Sequence, residues 1–159
     1  MKHTVIFDLD GTLCDITHRL HFIQGDKKDW PAFYQACVDD IPILHSFTMC
    51  QILKSWGCWI YIITGRSREV EKQTKAWLSE NGITFDKLIM RPEKNYQPAV
   101  ELKETFLKQY FPNLEDLHRI LVVFEDSDPV IAMYESYGIP YFKVGSHLDR
   151  TEINNPDQT

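Results

Sequence analysis

Five short apolar segments, separated by stretches of helical periodicity, constrain the fold more than any other feature of this chain. Apolar strands that alternate with helices are typical of a parallel sheet covered by helices on both faces. Two of the helical stripes end at glycines, Gly82 and Gly138, which act as helix stops. The sequence therefore predicts an α/β domain with a mostly parallel sheet. The predicted strands span Thr4 to Phe7, Trp59 to Ile63, Lys87 to Met90, Ile120 to Phe124 and Tyr141 to Val144.

The first strand delivers two carboxylates, Asp8 and Asp10, just before the glycine of a tight turn. Side chains alternate along a strand, so both carboxylates start on the same face. Anions held this close repel each other and lose hydration, so a cation or a shared proton is expected nearby. In a Rossmann-like sheet, ligands bind beyond the carboxyl ends of the strands, where Thr64 and Asp126 also fall. We expect these distant segments to converge on one edge of the sheet.

Lys103 lies on the apolar stripe of a helix that is predicted to begin near Pro98. A buried, unpaired ammonium group costs several kcal/mol, whereas one directed at the Asp8 carboxylate is compensated. The alternative is a lysine whose stem packs while its head reaches water. The stripe comprises Ala99, Leu102, Lys103, Phe106, Leu107 and Tyr110.

Four segments, in this order, resemble the haloacid dehalogenase superfamily of phosphatases. They are the stretch from Val5 to Thr12, the segment Thr64-Gly65-Arg66, the helix that carries Lys103, and the pair Glu125-Asp126. Within the superfamily, Met90-Arg91-Pro92 and Phe124-Glu125-Asp126 are most similar to the phosphatase domain of phage-type polynucleotide kinases. The resemblance implies one phosphatase domain over residues 1–145, with a small helical cap insertion at about 14–41. Residues 146–159 are predicted to form a polar tail.

The resemblance also implies an Mg²⁺-dependent phosphomonoesterase that works through an aspartyl-phosphate. Asp8 is the implied nucleophile, and Asp10 the group that protonates the leaving alcohol and then activates water. Thr64 and Lys103 complete the implied catalytic set. Mg²⁺ is expected on the Asp8 carboxylate, the Asp10 backbone carbonyl and Asp126, with Glu125 as a further candidate ligand.

Phosphate and substrate contacts are expected from the loops around this set. The backbone of Leu9 and Gly65, together with Arg66, would contact phosphate oxygens. The insertion from Cys14 to Ile41 is predicted to form two short helices. The first would turn Ile16, Leu20 and Ile23 inward and leave His18 and Arg19 on another side, free to contact phosphate or sugar. Trp30 and Tyr34 in the second are expected to pack in the core more often than to stack on a base.

Composition narrows the range of partners. The net charge of −6 over 159 residues argues against a broad surface that coats nucleic acid, although a local basic groove remains compatible with it. No apolar run approaches the roughly 20 residues that span a bilayer. The four cysteines show no CxxC pair or zinc spacing, which favours reduced thiols and a cytoplasmic location. The chain carries no GxxxxGK[ST] loop, so no kinase half is expected in it.

The substrate stays open between the 3′-phosphorylated end of a polynucleotide and a free nucleotide. Two other classes of protein use similar folds. One is a phosphoacceptor signalling domain, and the other is a catalytically silent module that binds nucleic acid. The intact order of the four segments favours a phosphatase over both. Nothing in the sequence predicts an oligomeric state.

Overall fold

The computed structural model describes residues 2–145, so the predicted tail, 146–159, lies outside the described residues. The strands are β1 (Thr4–Phe7), β2 (Cys14–Asp15), β3 (Ile41–Pro42), β4 (Trp59–Ser67), β5 (Lys87–Arg91), β6 (Ile120–Glu125) and β7 (Tyr141–Lys143). The α-helices are α1 (Trp30–Gln35), α2 (Leu44–Ser55), α3 (Glu71–Glu80), α4 (Ala99–Tyr110), α5 (Leu114–His118) and α6 (Asp128–Ser136). Short 3₁₀ helices span Thr17–Ile23, Ala36–Asp39 and Arg68–Val70.

The main sheet has five parallel strands in the order β5-β4-β1-β6-β7. All five predicted strands are present, and the predicted α/β class is confirmed. The strands end within a few residues of the predicted positions; the largest difference is β4, which continues past Ile63 to Ser67.

Alternating side chains of the strands pack into two separate hydrophobic layers, one on each face of the sheet. Val5 and Phe7 face the layer that includes Cys50 of α2 and Trp77 and Leu78 of α3. Ile6 faces the other layer, whose helical residues come from α4 and α6 and include Leu102, Phe106, Leu107, Val130, Met133 and Tyr134. The helices therefore cover both faces, as the pattern predicts.

The order of the strands marks one edge of the sheet as a binding edge. The chain moves from β1 outward through β4 to β5, and then returns to the other side of β1 to add β6 and β7. Ligands bind at such a reversal, beyond the carboxyl ends of the strands. Here the reversal lies between β1 and β6, where the backbone N–H of Asp8 donates to the carbonyl of Phe124 at 3.0 Å.

The insertion after β1 begins and ends in a small antiparallel ribbon, in which Cys14 pairs with Pro42 and Asp15 with Ile41. Its first predicted helix is a 3₁₀ helix, Thr17–Ile23. The expectation that Arg19 lies away from the inward side is wrong, because Arg19 is fully buried. A 3₁₀ helix has three residues per turn, so Arg19 lies level with Ile16 rather than on a separate face.

Two further predictions can be compared with the structure. The cysteines Cys14, Cys37, Cys50 and Cys58 are all free thiols. Within residues 2–145, no helix is both long enough and apolar enough to cross a membrane.

Candidate functional site

Three carboxylates and one ammonium group meet at the carboxyl ends of β1 and β6. Ligand oxygens of Asp8, Glu125 and Asp126 all lie within 4.8 Å of one another. Lys103 lies on α4, in the layer that α4 and α6 form. Its Nζ lies 2.7 Å from Oδ1 of Asp8 and 2.6 Å from Oε2 of Glu125. Lys103 is therefore buried and paired, and its ammonium does not reach out to water. We call these four residues the acidic cluster.

The acidic cluster carries more negative than positive charge. Burial, followed by the charge of Glu125, raises the pKa of Asp8 well above its usual range, although Lys103 opposes the shift. Burial and the same glutamate raise the pKa of Asp126 to about 6. Oxygen atoms from carboxylates are the ligands that hard divalent cations prefer. The cluster therefore has both the donor type and the excess of negative charge that fit such a cation.

Gly11 makes room for this arrangement. Its φ of +84° lies in the left-handed region, and a Cβ at this position would lie 2.2 Å from Oδ2 of Asp126. A side chain is excluded on both grounds. The next residue, Thr12, is buried, and its hydroxyl donates weakly to Asp8 at 3.4 Å and to Asp126 at 3.5 Å. The tight turn that the sequence predicts thus allows the carboxylates of Asp8 and Asp126 to lie close together.

Both carboxylate oxygens of Glu125 have partners. Oε2 accepts from Lys103, and Oε1 accepts from the backbone N–H groups of Asp126 and Ser127 at 3.2 Å each. These contacts hold Lys103 beside Asp8 and fix the start of the loop after β6. A role for Glu125 as a direct metal ligand stays a prediction.

Asp10, two residues after Asp8, lies in a different charge environment. Its Oδ1 accepts from Arg66 Nη2, from Arg66 Nε at 3.0 Å and from Arg19 Nη2 at 2.9 Å. A second carboxylate, Asp40, binds the same two guanidinium groups, with Arg19 Nε at 2.7 Å, Arg19 Nη2 at 2.8 Å and Arg66 Nη2 at 2.7 Å. We call Asp10, Arg19, Asp40 and Arg66 the ion-paired cluster.

The ion-paired cluster lowers the pKa of Asp10. Burial acts to raise it, but the charges of Arg66 and Arg19 outweigh burial. Within residues 2–145, every hydrogen bond that Asp10 accepts reaches Oδ1. Oδ2 accepts no hydrogen bond from the described residues. Asp10, Cys14 and Asp40 also have ligand atoms close together, but two guanidinium groups already neutralise their charge.

The remaining predicted residues lie at the same edge or close to it. Thr64 is fully buried near the end of β4, and its hydroxyl accepts from the N–H of Arg66 at 3.1 Å. The register pairs Phe7 with Ile62, so Thr64 lies beside the loop that starts at Asp8. Nε2 of His18 lies 2.9 Å from Asp40, which ties it to the ion-paired cluster. Leu9 is fully buried under the turn.

Two residues of this region were missed in the sequence analysis. Asp40 is far from the motifs, and no spacing connects it to Arg19 or Arg66. The need for Asp40 becomes visible only in the structure, where two buried arginines beside Asp10 require a second anion. Arg91 was singled out only as part of a motif. Its Nε donates to the carbonyl of Gly65 at 2.8 Å, next to Thr64 in β4.

The family model for the polynucleotide kinase PNKP phosphatase domain matches residues 2–147. The chain belongs to this family. Membership makes the chain a phosphatase of the haloacid dehalogenase type, and it confirms the resemblance on which the sequence analysis drew. The chain matches none of the curated proteins with which it was compared.

Solved structures with the same fold include chains described as a "Pnkp1/Rnl/Hen1 complex" and a "Pnkp1/Rnl/Hen1 RNA repair complex". The first is 21% identical with a TM-score of 0.72, and the second 20% identical with a TM-score of 0.76. This PNKP-type phosphatase domain aligns over 91% of its length but spans only 45% and 42% of those chains. A putative phosphatase from Clostridium difficile is 15% identical, with a TM-score of 0.67, over 96% of this chain and 91% of that one. At these identities the likeness shows the fold.

Proposed function

We propose that this phosphatase is an Mg²⁺-dependent phosphomonoesterase that removes phosphate from the 3′-end of a polynucleotide through an aspartyl-phosphate. The observation that carries the proposal is the pairing of Asp8 with Lys103 inside a cluster of three carboxylates. A phosphate group brings about two more negative charges, so it can approach Asp8 only when cations neutralise the site. Lys103 supplies one such charge in a fixed position.

Asp8, Asp126 and the backbone carbonyl of Asp10 would hold Mg²⁺, with Glu125 behind them. The cation would supply the positive charge that keeps Asp8 ionised and offsets the charge of the phosphate. The oxygen donors and the excess negative charge of the acidic cluster support this assignment over zinc, which prefers nitrogen and sulfur ligands. Thr64, the backbone of Leu9 and Gly65, and Lys103 would bind phosphate oxygens.

The two aspartates would then divide the chemistry. In the first step Asp8 forms a bond to phosphorus while the bond to the leaving oxygen breaks, and Asp10 donates its proton to that oxygen. In the second step Asp10 takes a proton from water, whose oxygen attacks phosphorus and releases Asp8 and inorganic phosphate. The negative charge of a phosphate next to Asp10 would act to raise the pKa of this carboxyl, against the lowering by Arg66 and Arg19. These two arginines would hold Oδ1 while Oδ2 handles the proton.

A polynucleotide end is favoured over a free nucleotide by family membership and by the RNA-repair assemblies in which structurally similar chains occur. The insertion, residues 14–41, would form the rim that selects the substrate. The alternative substrate is a nucleoside monophosphate held under that insertion.

The test is phosphate release from a 3′-phosphorylated oligonucleotide and from nucleoside monophosphates, with Mg²⁺ and again with a chelator. We expect turnover of the oligonucleotide that requires Mg²⁺. Asp8→Asn removes the nucleophile and should reduce turnover on the order of a thousandfold or more while the circular dichroism spectrum stays unchanged. Asp26→Asn, an exposed aspartate of the insertion, is the matched control and should keep full activity. Near wild-type turnover by Asp8→Asn would contradict the mechanism, and a preference for monophosphates would contradict the substrate.

A further inference from the structure

A cavity of about 640 Å³ opens beside Asp10, between the insertion and the loop after β5. Its volume falls within the range of roughly 300–1,000 Å³ that is typical for small-molecule sites. One wall comes from α1 and includes Trp30, Phe33 and Tyr34, and the other comes from the loop 91–99. Among the described residues, those of the acidic cluster do not line it, whereas Asp10 and Gly65 do. The cavity therefore lies beside the catalytic residues on the side of Asp10, which is the proposed proton donor.

The position of Asp10 identifies which part of a substrate this cavity receives, an argument that rests on the proposed function. In an in-line displacement the nucleophile and the leaving oxygen lie on opposite sides of phosphorus. Asp8 and Lys103 belong to the side of the nucleophile. Asp10, which protonates the leaving oxygen in the proposed mechanism, also lines the cavity. The alcohol part of the ester must consequently extend into the cavity.

The walls of the cavity have the chemistry of a site for a flat ring. Trp30 and Tyr34 lie with their ring centroids 5.9 Å apart, and Trp30 meets Phe33 edge-on at 5.6 Å. Phe33 is buried and packs under Arg19, whose guanidinium lies 4.3 Å from its ring centroid. Trp30 is 43% exposed, and Tyr96 on the facing loop is 88% exposed. Aromatic rings with an open face are the surfaces on which nucleobases stack.

The loop that carries Tyr96 is folded around Arg91. Nη1 of Arg91 donates to the carbonyl of Gln97 at 2.7 Å and to Oδ1 of Asn95 at 3.2 Å, while Nε donates to the carbonyl of Gly65 at 2.8 Å. Nη2 lies 3.4 Å from the position that a Cβ on Gly65 would occupy, and it has no acceptor among the described residues. Arg91 thus ties the facing wall of the cavity to Gly65 in β4, beside Thr64.

We propose that this cavity binds the nucleoside that carries the scissile phosphate, with the base stacked against Trp30, Tyr34 and Tyr96. Arg91 is the positioning residue that holds Tyr96 across from α1. This assignment gives the enzyme a contact with the base itself, in addition to its contacts with phosphate.

The first experiment compares two 3′-phosphorylated oligonucleotides that differ only in their last residue, which carries a base in one and is abasic in the other. Loss of a stacked base should lower kcat/KM by roughly 5- to 150-fold, mainly through KM. A small aryl phosphate monoester, para-nitrophenyl phosphate, measures the chemistry without a nucleoside. Equal kcat/KM for the two oligonucleotides, with the aryl phosphate hydrolysed, would overturn this inference and leave the proposed phosphatase mechanism intact. Hydrolysis of none of the three substrates would overturn the proposed function and this inference with it.

The second experiment repeats the comparison in variants of the walls. Tyr96→Ala and Trp30→Ala should each reduce the preference for the substrate with a base, and Arg91→Lys should do so through the loop. Trp30 also packs on Phe33, so Tyr96→Ala provides the variant with the least risk to folding. Trp56→Ala is the matched control, because Trp56 is 82% exposed and lies just before β4, away from the carboxyl ends of the strands. A preference that survives all three wall variants, or falls equally in Trp56→Ala, would overturn the assignment.

Discussion

The acidic cluster and the ion-paired cluster begin two residues apart in the sequence but differ in charge balance. The acidic cluster holds three carboxylates and one ammonium group, whereas the ion-paired cluster holds two carboxylates and two guanidinium groups. Burial and the charge of Glu125 raise the pKa of Asp8, whereas the charges of Arg66 and Arg19 outweigh burial and lower the pKa of Asp10. The end of β1 thus supplies two carboxyl groups whose pKa values are shifted in opposite directions.

The comparison explains why the two clusters need different partners. The ion-paired cluster is complete within the protein, because each of its carboxylates contacts both arginines. It can therefore act as a rigid support for Asp10. The acidic cluster has an excess of negative charge that a cation or a proton must offset. It follows that an external cation should neutralise the carboxylates of the acidic cluster and leave the ion pairs of the ion-paired cluster intact.

Lys103→Met would produce the largest change, because it removes the one positive charge of the acidic cluster. We expect turnover to fall on the order of a thousandfold, since neither Asp8 nor the transferred phosphate is neutralised. We also expect divalent cations to bind more tightly, because the cluster becomes more negative. Phosphate release and Mg²⁺ titration by calorimetry measure the two effects separately.

Lys108→Met is the control for that variant. Lys108 lies one turn further along α4, is exposed and contacts Glu104 on the surface. It should keep both the turnover and the Mg²⁺ affinity of the wild type. Weaker Mg²⁺ binding by Lys103→Met would show that charge balance does not govern the acidic cluster.

Asp40→Asn would break the ion-paired cluster instead. Among the described residues, it leaves the two buried guanidinium groups paired with the carboxylate of Asp10 alone. Loss of one partner from a buried ion pair costs roughly 3–5 kcal/mol. We expect a loss of about 3 kcal/mol in the free energy of unfolding, which corresponds to a decrease of roughly 6–12 °C in Tm. Asp39→Asn changes the preceding, exposed residue and should leave Tm unchanged. Equal Tm values for the two variants would mean that the ion-paired cluster contributes little to stability.

Addition of Mg²⁺ would distinguish the two clusters by their effect on Tm, without a substitution in either of them. A ligand at 100 times its Kd stabilises the folded state by about 2.7 kcal/mol, so Tm of the wild type should rise by roughly 5–11 °C. Asp126→Asn should abolish the rise, because it removes a carboxylate of the acidic cluster. Asp40→Asn should retain it, from a lower starting Tm. A rise in Asp126→Asn equal to that of the wild type would place the cation elsewhere.

The sequence predicts the acidic cluster better than the ion-paired cluster, for a physical reason. Asp8 and Asp126 follow apolar strands, and parallel strands place their carboxyl ends at one edge. Lys103 is a charge on an apolar helical stripe, which predicts burial and a partner. Each of these signals is local, so each can be identified from a few residues.

The ion-paired cluster has no such local signal. Arg19 lies on a 3₁₀ helix, so a helical wheel of 3.6 residues per turn assigns it to the wrong side. Asp40 meets Arg66 across 26 positions, and nothing in the residues around either one indicates the pairing. Their contact depends on how the insertion folds back on the sheet, which the sequence pattern alone does not predict.

The ion pair of Lys54 with Asp86 lies outside both clusters, and it shows what such a contact contributes when water reaches it. Asp86 Oδ2 lies 2.6 Å from Lys54 Nζ and accepts from the N–H of Ile60 at 2.7 Å. Burial acts to raise the pKa of Asp86, but these hydrogen bonds outweigh it and lower the pKa. A carboxyl group with a lowered pKa stabilises the folded state above its unfolded pKa, and this stabilisation is lost as the pH falls through its folded pKa.

Asp86→Asn should therefore cost less than about 1 kcal/mol at pH 7, because solvent screens the pair, and should cost nothing once the pH is below the folded pKa of Asp86. Urea unfolding at pH 7 and in acid measures the difference. Asp116→Asn, a partly exposed aspartate whose contact with Arg119 is 3.8 Å long, is the control. A cost at pH 7 as large as that of Asp40→Asn would mean that burial does not separate the two kinds of ion pair. A small cost would show that the loss of one partner destabilises the fold more when the charge left behind is buried than when water reaches it.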